Sequence, residues 1–152
     1  MIRISLSDFR LDLLDKKGEV ARSFPVSWSR YGVGVAPDSK KTPTGRFRIC
    51  EKIGASQPSG AVFEGRKPTG EVVTPAITGP ALEGRVLSRI LWLEGLDKEN
   101  RNTKKRHIYI HGTINEFKVP SQFSDGCITM RNEDVIALFD LVEEGEQVVI
   151  QE

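Results

Sequence analysis

Cysteine is scarce in this chain: 152 residues hold two, Cys50 and Cys127. Two thiols cannot build the disulfide scaffold of a small secreted domain, and a chain of this length can bury enough core to fold without one. Histidine is equally scarce, with His107 and His111 the whole complement. They flank Ile-Tyr-Ile, which reads as strand, so they stand about 13 Å apart at about 3.3 Å per residue. That is too far for His107, His111 and Cys127 to share one zinc ion, and no metal is expected. An excess of one charge is missing too. Lys plus Arg is 22 against 21 for Asp plus Glu, a net charge of +1, which offers no electrostatic case for nucleic acid or an anionic membrane. Lys104-Lys105-Arg106 reads as a solvated loop edge. Long apolar runs are absent. Met1 to Asp15 is interrupted by Arg3, Asp8, Arg10, Asp12 and Asp15, which excludes a signal-peptide core there, and no later segment approaches the length of a membrane span. The chain is expected to stay inside the cell, or to be a mature or trimmed form. There is no Gly-x-Ser-x-Gly elbow, phosphate loop or dinucleotide fingerprint.

What is present reads as one mostly-β domain over residues 1–152, a sheet or sandwich with one principal helix near the C-terminus. Ile2, Ile4 and Leu6 alternate with polar residues, as do Phe9, Leu11 and Leu13. Lys16-Lys17-Gly18 is a turn, and Glu19 to Val26 returns, so residues 10–26 form a hairpin. Ser29 to Gly45 is loop. Arg46 to Lys52 alternates as a strand, with Cys50 read as a small buried apolar residue. Residues 54–86, rich in Gly, Pro, Ser and Thr, are a long loop with a short strand at Val72-Val73, of the kind that lines sites. Ser88 to Leu93 and His107 to His111 are further strands. Asn132 is the expected N-cap of a helix whose Val135, Leu138, Phe139 and Val142 make one apolar face. Gly145 ends it, and Gln147 to Ile150 is the last strand.

Two short segments carry the chemistry: His111-Gly112-Thr113 and Ser124-Asp125-Gly126-Cys127-Ile128-Thr129-Met130. A cysteine attacks as thiolate, and a neighbouring imidazole is the usual means of forming one at neutral pH. Both residues lie at ends of expected strands, facing loops, and each has a glycine beside it. The expectation is a cysteine acyltransferase.

These segments resemble the signature of the L,D-transpeptidase catalytic domain (YkuD type) of bacterial cell-wall synthesis, His-Gly-Thr followed by Ser-His-Gly-Cys-Ile-Arg-Met. The likeness extends to Ser39–Phe47, similar to the family's Thr-Pro-x-Gly-x-Phe segment, to Arg106–His111, and to the closing helix and strand from Asn132 to Ile150. The resemblance implies a β-sandwich-like domain of mixed sheets and transfer of a peptidoglycan stem. Cys127 would attack the third stem residue, release terminal D-alanine and form a thioester, which an amine of a neighbouring stem resolves into a 3→3 cross-link. His111 would act as base and then acid. Ser124 would fix the imidazole tautomer, and amides around Gly126 and Cys127 would form the oxyanion hole. Gly112, Thr113, Asp125, Thr129 and Arg131 are the implied substrate-binding positions. The implied partners are donor and acceptor stem peptides, with carbapenem-type β-lactams as covalent inhibitors, and the implied place of work is the cell envelope. No cofactor is needed. Hydrolysis of the same bond, or binding of peptidoglycan without turnover, are the alternatives.

Two positions depart from the pattern. Asp125 stands where the family has His, and would raise the thiol pKa unless a cation offsets it. Thr129 stands where the family has Arg. Arg131, on the same face of an extended chain, is the expected substitute.

Overall fold

The computed structural model describes residues 1–82 and 84–152. In chain order the strands are β1 (Ile2–Ser5), β2 (Arg10–Leu14), β3 (Val20–Pro25), β4 (Trp28–Ser29), β5 (Gly45–Ile53), β6 (Ala61–Glu64), β7 (Lys67–Val72), β8 (Val86–Gly95), β9 (Tyr109–Gly112), β10 (Gln122–Ser124), β11 (Ile128–Met130) and β12 (Gln147–Gln151). The helix α1 (Asn132–Leu141) precedes β12, and a single 3-10 turn spans Glu116–Lys118. Ten strands join in one curled mixed sheet in the order β11-β9-β8-β5-β12-β1-β2-β3, with β6 also pairing β8 and β7 pairing β6, while β10 and β4 pair separately.

The period-two pattern decides which side of each strand is buried. In β1, Ile2 and Ile4 are buried, and in β5, Phe47 and Ile49 are, while Arg46 and Arg48 face water. The first and last strands meet in parallel, Ile2 opposite Val148 and Ile4 opposite Ile150, so both chain ends lie in the middle of the sheet. β8 is buried almost throughout, because β5 and β9 flank it and α1 packs across β8 and β9. Val135, Leu138 and Phe139 of α1, with Val142 just beyond it, join the main core beside Ile110, Ile128 and Met130.

Four local expectations are corrected. Residues 54–86 are not one loop: β6 and β7 form a hairpin there. Its two turn residues, Gly65 and Arg66, both have positive φ (54° and 65°), the backbone of a type I′ turn. Arginine is an unusual residue for that backbone, and every residue of β7 is exposed, so neither turn chemistry nor alternation marked it. Phe9 is not in strand. It turns the chain with φ of 50° and packs beside Trp28. Asn132 is the first helical residue rather than the cap. Arg131 is the cap, with no side-chain cap bond, and the Asn132 N–H donates to the Glu116 carboxylate at 2.6 Å. Cys50 is half-buried, at a register shift between Ile49 and Glu51.

Leu138 is fully buried, whereas Leu141, three residues on, is half exposed. Leu138→Ala is expected to destabilise the fold by about 2–5 kcal/mol, and Leu141→Ala by no more than about 0.5 kcal/mol. Urea denaturation midpoints decide this, and equal losses would mean that α1 does not bury the face described.

Candidate active site

The site is built on the parallel pairing of β9 and β11. It sets Ile128 opposite Ile110, Thr129 opposite His111 and Met130 opposite Gly112. Ile110, Ile128 and Met130 sink into the core. By alternation, Tyr109 and His111 share the other face with Cys127 and Thr129. The pairing thus brings Cys127 and His111, 16 residues apart in sequence, to one side of two adjacent strands. The Tyr109 N–H donates to Cys127 Sγ at 3.3 Å, and the thiol reaches the His107 carbonyl at 3.5 Å.

Two glycines permit this geometry for different reasons. A Cβ on Gly112 would lie 2.3 Å from Asn132 Oδ1 and 2.9 Å from the Leu87 carbonyl, so no side chain fits. Gly126 has φ of +120°, open to glycine and strained for other residues. Its carbonyl accepts the Thr42 hydroxyl at 3.0 Å, which ties the Thr42-Pro43 segment to the loop carrying Cys127.

The imidazole is held by the chain itself. His111 Nδ1 lies 2.6 Å from the Gly112 carbonyl. A carbonyl only accepts, so Nδ1 carries the proton and Nε2 keeps its lone pair. Ser124 does not play the orienting role expected of it. Its hydroxyl donates to the Cys127 carbonyl at 2.7 Å and accepts the Gly126 N–H at 3.3 Å, bracing the nucleophile's loop instead.

Burial dominates the electrostatics. It holds His111 down to about 4, opposed by the Gly112 hydrogen bond, and pushes the Cys127 thiol up to about 11, opposed by the Tyr109 N–H and by the charge of Arg106. The resting pair is therefore neutral thiol and neutral imidazole. Asp125 adds to the upward push as the smallest named cause, and its carboxylate is paired with Arg30 at 2.9 Å. Arg30 thus pairs with the carboxylate on the exposed rim, while the cation that acts on the thiol itself is Arg106. Arg106 is not the solvated edge expected: its guanidinium donates to the Lys41 carbonyl at 2.7 Å and the Gly34 carbonyl at 3.3 Å, holding the loop that flanks Cys127.

A cleft of about 540 Å³ opens over this face, lined among others by His111, Thr113, Asp125, Cys127 and Thr129. Thr113 accepts the Asn115 N–H at 3.0 Å through its hydroxyl. Gly112 lies behind the cleft and gives space rather than contact. Arg131 is not among the lining residues; its guanidinium donates to the Val119 carbonyl at 2.7 Å, because the strand ends at Met130 and Arg131 turns into α1. One cleft wall comes from the end of the 54–86 stretch that was expected to line a site. Ala81, Leu82, Gly84, Arg85 and Val86 form it, and the buried Asn115 amide holds it, accepting the Leu82 N–H at 2.8 Å and donating to the Leu82 carbonyl at 2.9 Å. Among the described residues no three His, Cys, Asp or Glu side chains cluster as metal ligands.

Comparison with known proteins identifies the family and the fold. The family model of the YkuD L,D-transpeptidase catalytic domain matches residues 1–150. The putative L,D-transpeptidase YkuD of Bacillus subtilis is 46% identical over 46 residues, which are 30% of this chain and 28% of that protein. The fold matches the Ldtfm–avibactam carbamoyl enzyme with a TM-score of 0.60 at 18% identity, over 99% of this chain and 48% of that one. It matches LdtMt1 in complex with imipenem with a TM-score of 0.56 at 18% identity, over 99% and 57%. The chain thus spans about half the length of these solved relatives.

The two shifted groups act on stability in opposite pH ranges. An unfolded chain takes up the His111 proton below 6.5 while the folded one resists down to about 4, so folded stability falls as pH drops from 6.5 towards 4. An unfolded chain releases the Cys127 proton above 9.0 while the folded one holds it to about 11, so stability also falls as pH rises from 9 towards 11. Urea midpoints across pH should lose the acid limb partly in His111→Gln and the alkaline limb partly in Cys127→Ala; profiles parallel to the parent's would refute the burial assignment. Because Asp125 is the smallest cause, Asp125→Asn should change the rate of iodoacetamide alkylation of Cys127 at pH 8 by less than about threefold. A gain of tenfold or more would mean that the carboxylate, not burial, governs the thiol.

Proposed function

The chain belongs to the L,D-transpeptidase catalytic domain (YkuD) family, and from that premise we propose that it is a cysteine acyltransferase acting on peptidoglycan stem peptides in the cell envelope. The observation that carries the reading is the shared face of Cys127 and His111, with His111 Nδ1 bonded to the Gly112 carbonyl, so that Nε2 keeps its lone pair on the face that also carries the thiol.

The steps follow from that arrangement. Cys127 Sγ attacks the carbonyl of the third stem residue while its proton passes to His111 Nε2. With the imidazole neutral at rest, His111 is able to accept that proton at any pH above about 4. The oxyanion that forms is met by the Cys127 amide; the Gly126 N–H is directed to Ser124 Oγ and becomes available only if that long bond yields. Each well-aimed donor of this kind is worth roughly 3–4 kcal/mol in acyl transfer. Collapse breaks the peptide bond, and His111 returns the proton to the departing amine of D-alanine, leaving a thioester. The amine of a second stem then attacks, loses its proton to His111, and forms the 3→3 link with the thiol restored. The open cleft wall formed by Ala81, Leu82, Gly84, Arg85 and Val86 is the face from which an acceptor reaches the thioester. Ring opening of a carbapenem by the same thiol would leave a stable acyl adduct.

Intact mass spectrometry after mixing with a carbapenem tests the reading. One adduct is expected on the parent chain, none on Cys127→Ala, and acylation at least about 100-fold slower on His111→Ala. A folded parent chain that takes no adduct would instead favour a domain that binds peptidoglycan without turning it over.

A further inference from the structure

Strand β11 carries Thr129 where the family signature has arginine, and the structure shows what stands in the cleft instead. Thr129 is 3% exposed, lines the cleft, and its hydroxyl has no hydrogen-bond partner among the described residues. A buried hydroxyl is almost always bonded, so an orphan on the floor of a cleft marks a place where a ligand's acceptor belongs. The cations that line the same cleft are Arg30, Arg85 and Lys118. Arg30 is paired with Asp125 and Arg85 with Glu71, whereas no described carboxylate lies within 4 Å of the Lys118 ammonium.

The turn that carries Lys118 is held firmly in place. The Glu116 carboxylate accepts the N–H and the Nδ2 of Asn132 at 2.6 and 3.0 Å. The Lys118 carbonyl accepts the hydroxyls of Ser27 at 3.2 Å and Ser121 at 2.6 Å. The Val119 carbonyl accepts the Arg131 guanidinium. Arg131, the residue expected to replace the missing arginine, is thus spent on positioning the turn.

We propose that Lys118 and Thr129 form a carboxylate-recognition subsite, so that this chain selects a stem peptide with a free carboxylate within reach of Cys127. The inference rests on the acyltransferase reading above and names its substrate class. A stem peptide offers two such groups, the terminal carboxylate of the departing residue and the side-chain carboxylate of the third residue. Lys118 supplies the charge and Thr129 the hydrogen bond, the two features that a carboxylate-binding arginine combines in one side chain.

Binding to the full chain carrying Cys127→Ala tests the subsite without requiring turnover. Calorimetry would compare a tetrapeptide with both carboxylates free, one amidated at the side chain and one amidated at the terminus. One amidation is expected to weaken binding about tenfold, and which one identifies the group recognised. Adding Lys118→Gln should shrink that ratio to within about twofold. Thr129→Val should also shrink it while leaving the thermal midpoint level or higher, since it removes an unpartnered buried hydroxyl. Equal binding of all three peptides, or a ratio that survives Lys118→Gln, would overturn the subsite. Failure of the parent chain to release D-alanine, with the ratio intact, would instead overturn the acyltransferase reading and leave the subsite standing.

Discussion

The carboxamide of Asn132, two residues after β11, ties together three segments that frame the site. Its Oδ1 accepts the Ser88 hydroxyl at 2.6 Å, and its Nδ2 donates to the Thr113 carbonyl at 2.8 Å and to Glu116 at 3.0 Å. Ser88 sits at a bulge in β8 with φ of 70°, Thr113 follows β9, and Glu116 opens the 3-10 turn. Ser88, Thr113 and Asn132 are all buried, where water cannot replace a lost partner and each broken bond leaves an uncompensated polar group. The missing Cβ of Gly112 is what lets this amide come so close. His-Gly-Thr is therefore one physical unit. His111 faces the cleft, Gly112 gives its carbonyl to Nδ1 and its empty side to Asn132, and Thr113 gives its carbonyl to the same amide.

Burial sets the chemistry as firmly as it sets the fold. The pairing that brings thiol and imidazole to one face also buries the imidazole and leaves the cysteine half-buried, and desolvation penalises the charged form of each. A preformed thiolate–imidazolium pair would need charges that this pocket does not welcome. The neutral pair loses little by waiting. In the proposed mechanism proton transfer accompanies attack, when the developing oxyanion supplies a charge that backbone amides can meet. In that scheme the charge next to the nucleophile matters less than its seclusion. A carboxylate at 125 is compatible with that scheme, the more so as Arg30 binds it on the exposed rim.

Much of this was legible in the sequence because it rests on period and spacing. The alternation in β1, β2 and β5, the 10–26 hairpin and the apolar face of α1 are consequences of which residues recur at two and at three or four. Cys127 and His111 were legible because reactive residues beside glycines stand out. What was not legible depends on contacts between distant segments. The turn at Gly65-Arg66 uses an arginine where positive φ is rare, and the exposed β7 has no alternation to read. Asn132 looks like a cap because asparagine usually is one, yet its amide is drawn inward by Ser88 and Thr113, and a carboxylate 16 residues away satisfies its N–H. Ser124 stands where an orienting group was expected, but the imidazole finds a nearer acceptor in the next residue's own carbonyl.

The exchange of arginine for threonine at 129 shows the same limit from the side of function. Reading along a strand, the natural substitute lies two residues on, because period two returns the side chain to the same face. That logic holds only while the strand continues. β11 ends at Met130, and Arg131 takes the extended conformation from which α1 begins, so its guanidinium leaves the cleft for the Val119 carbonyl. Compensation in space obeys a different rule from compensation in sequence. A cation lost from the floor of a cleft can be regained from any element that borders the same volume. The turn carrying Lys118 borders it, and Arg131 is among the groups that fix that turn. The two arginine positions are then linked through structure, one absent from the cleft and the other holding its replacement there.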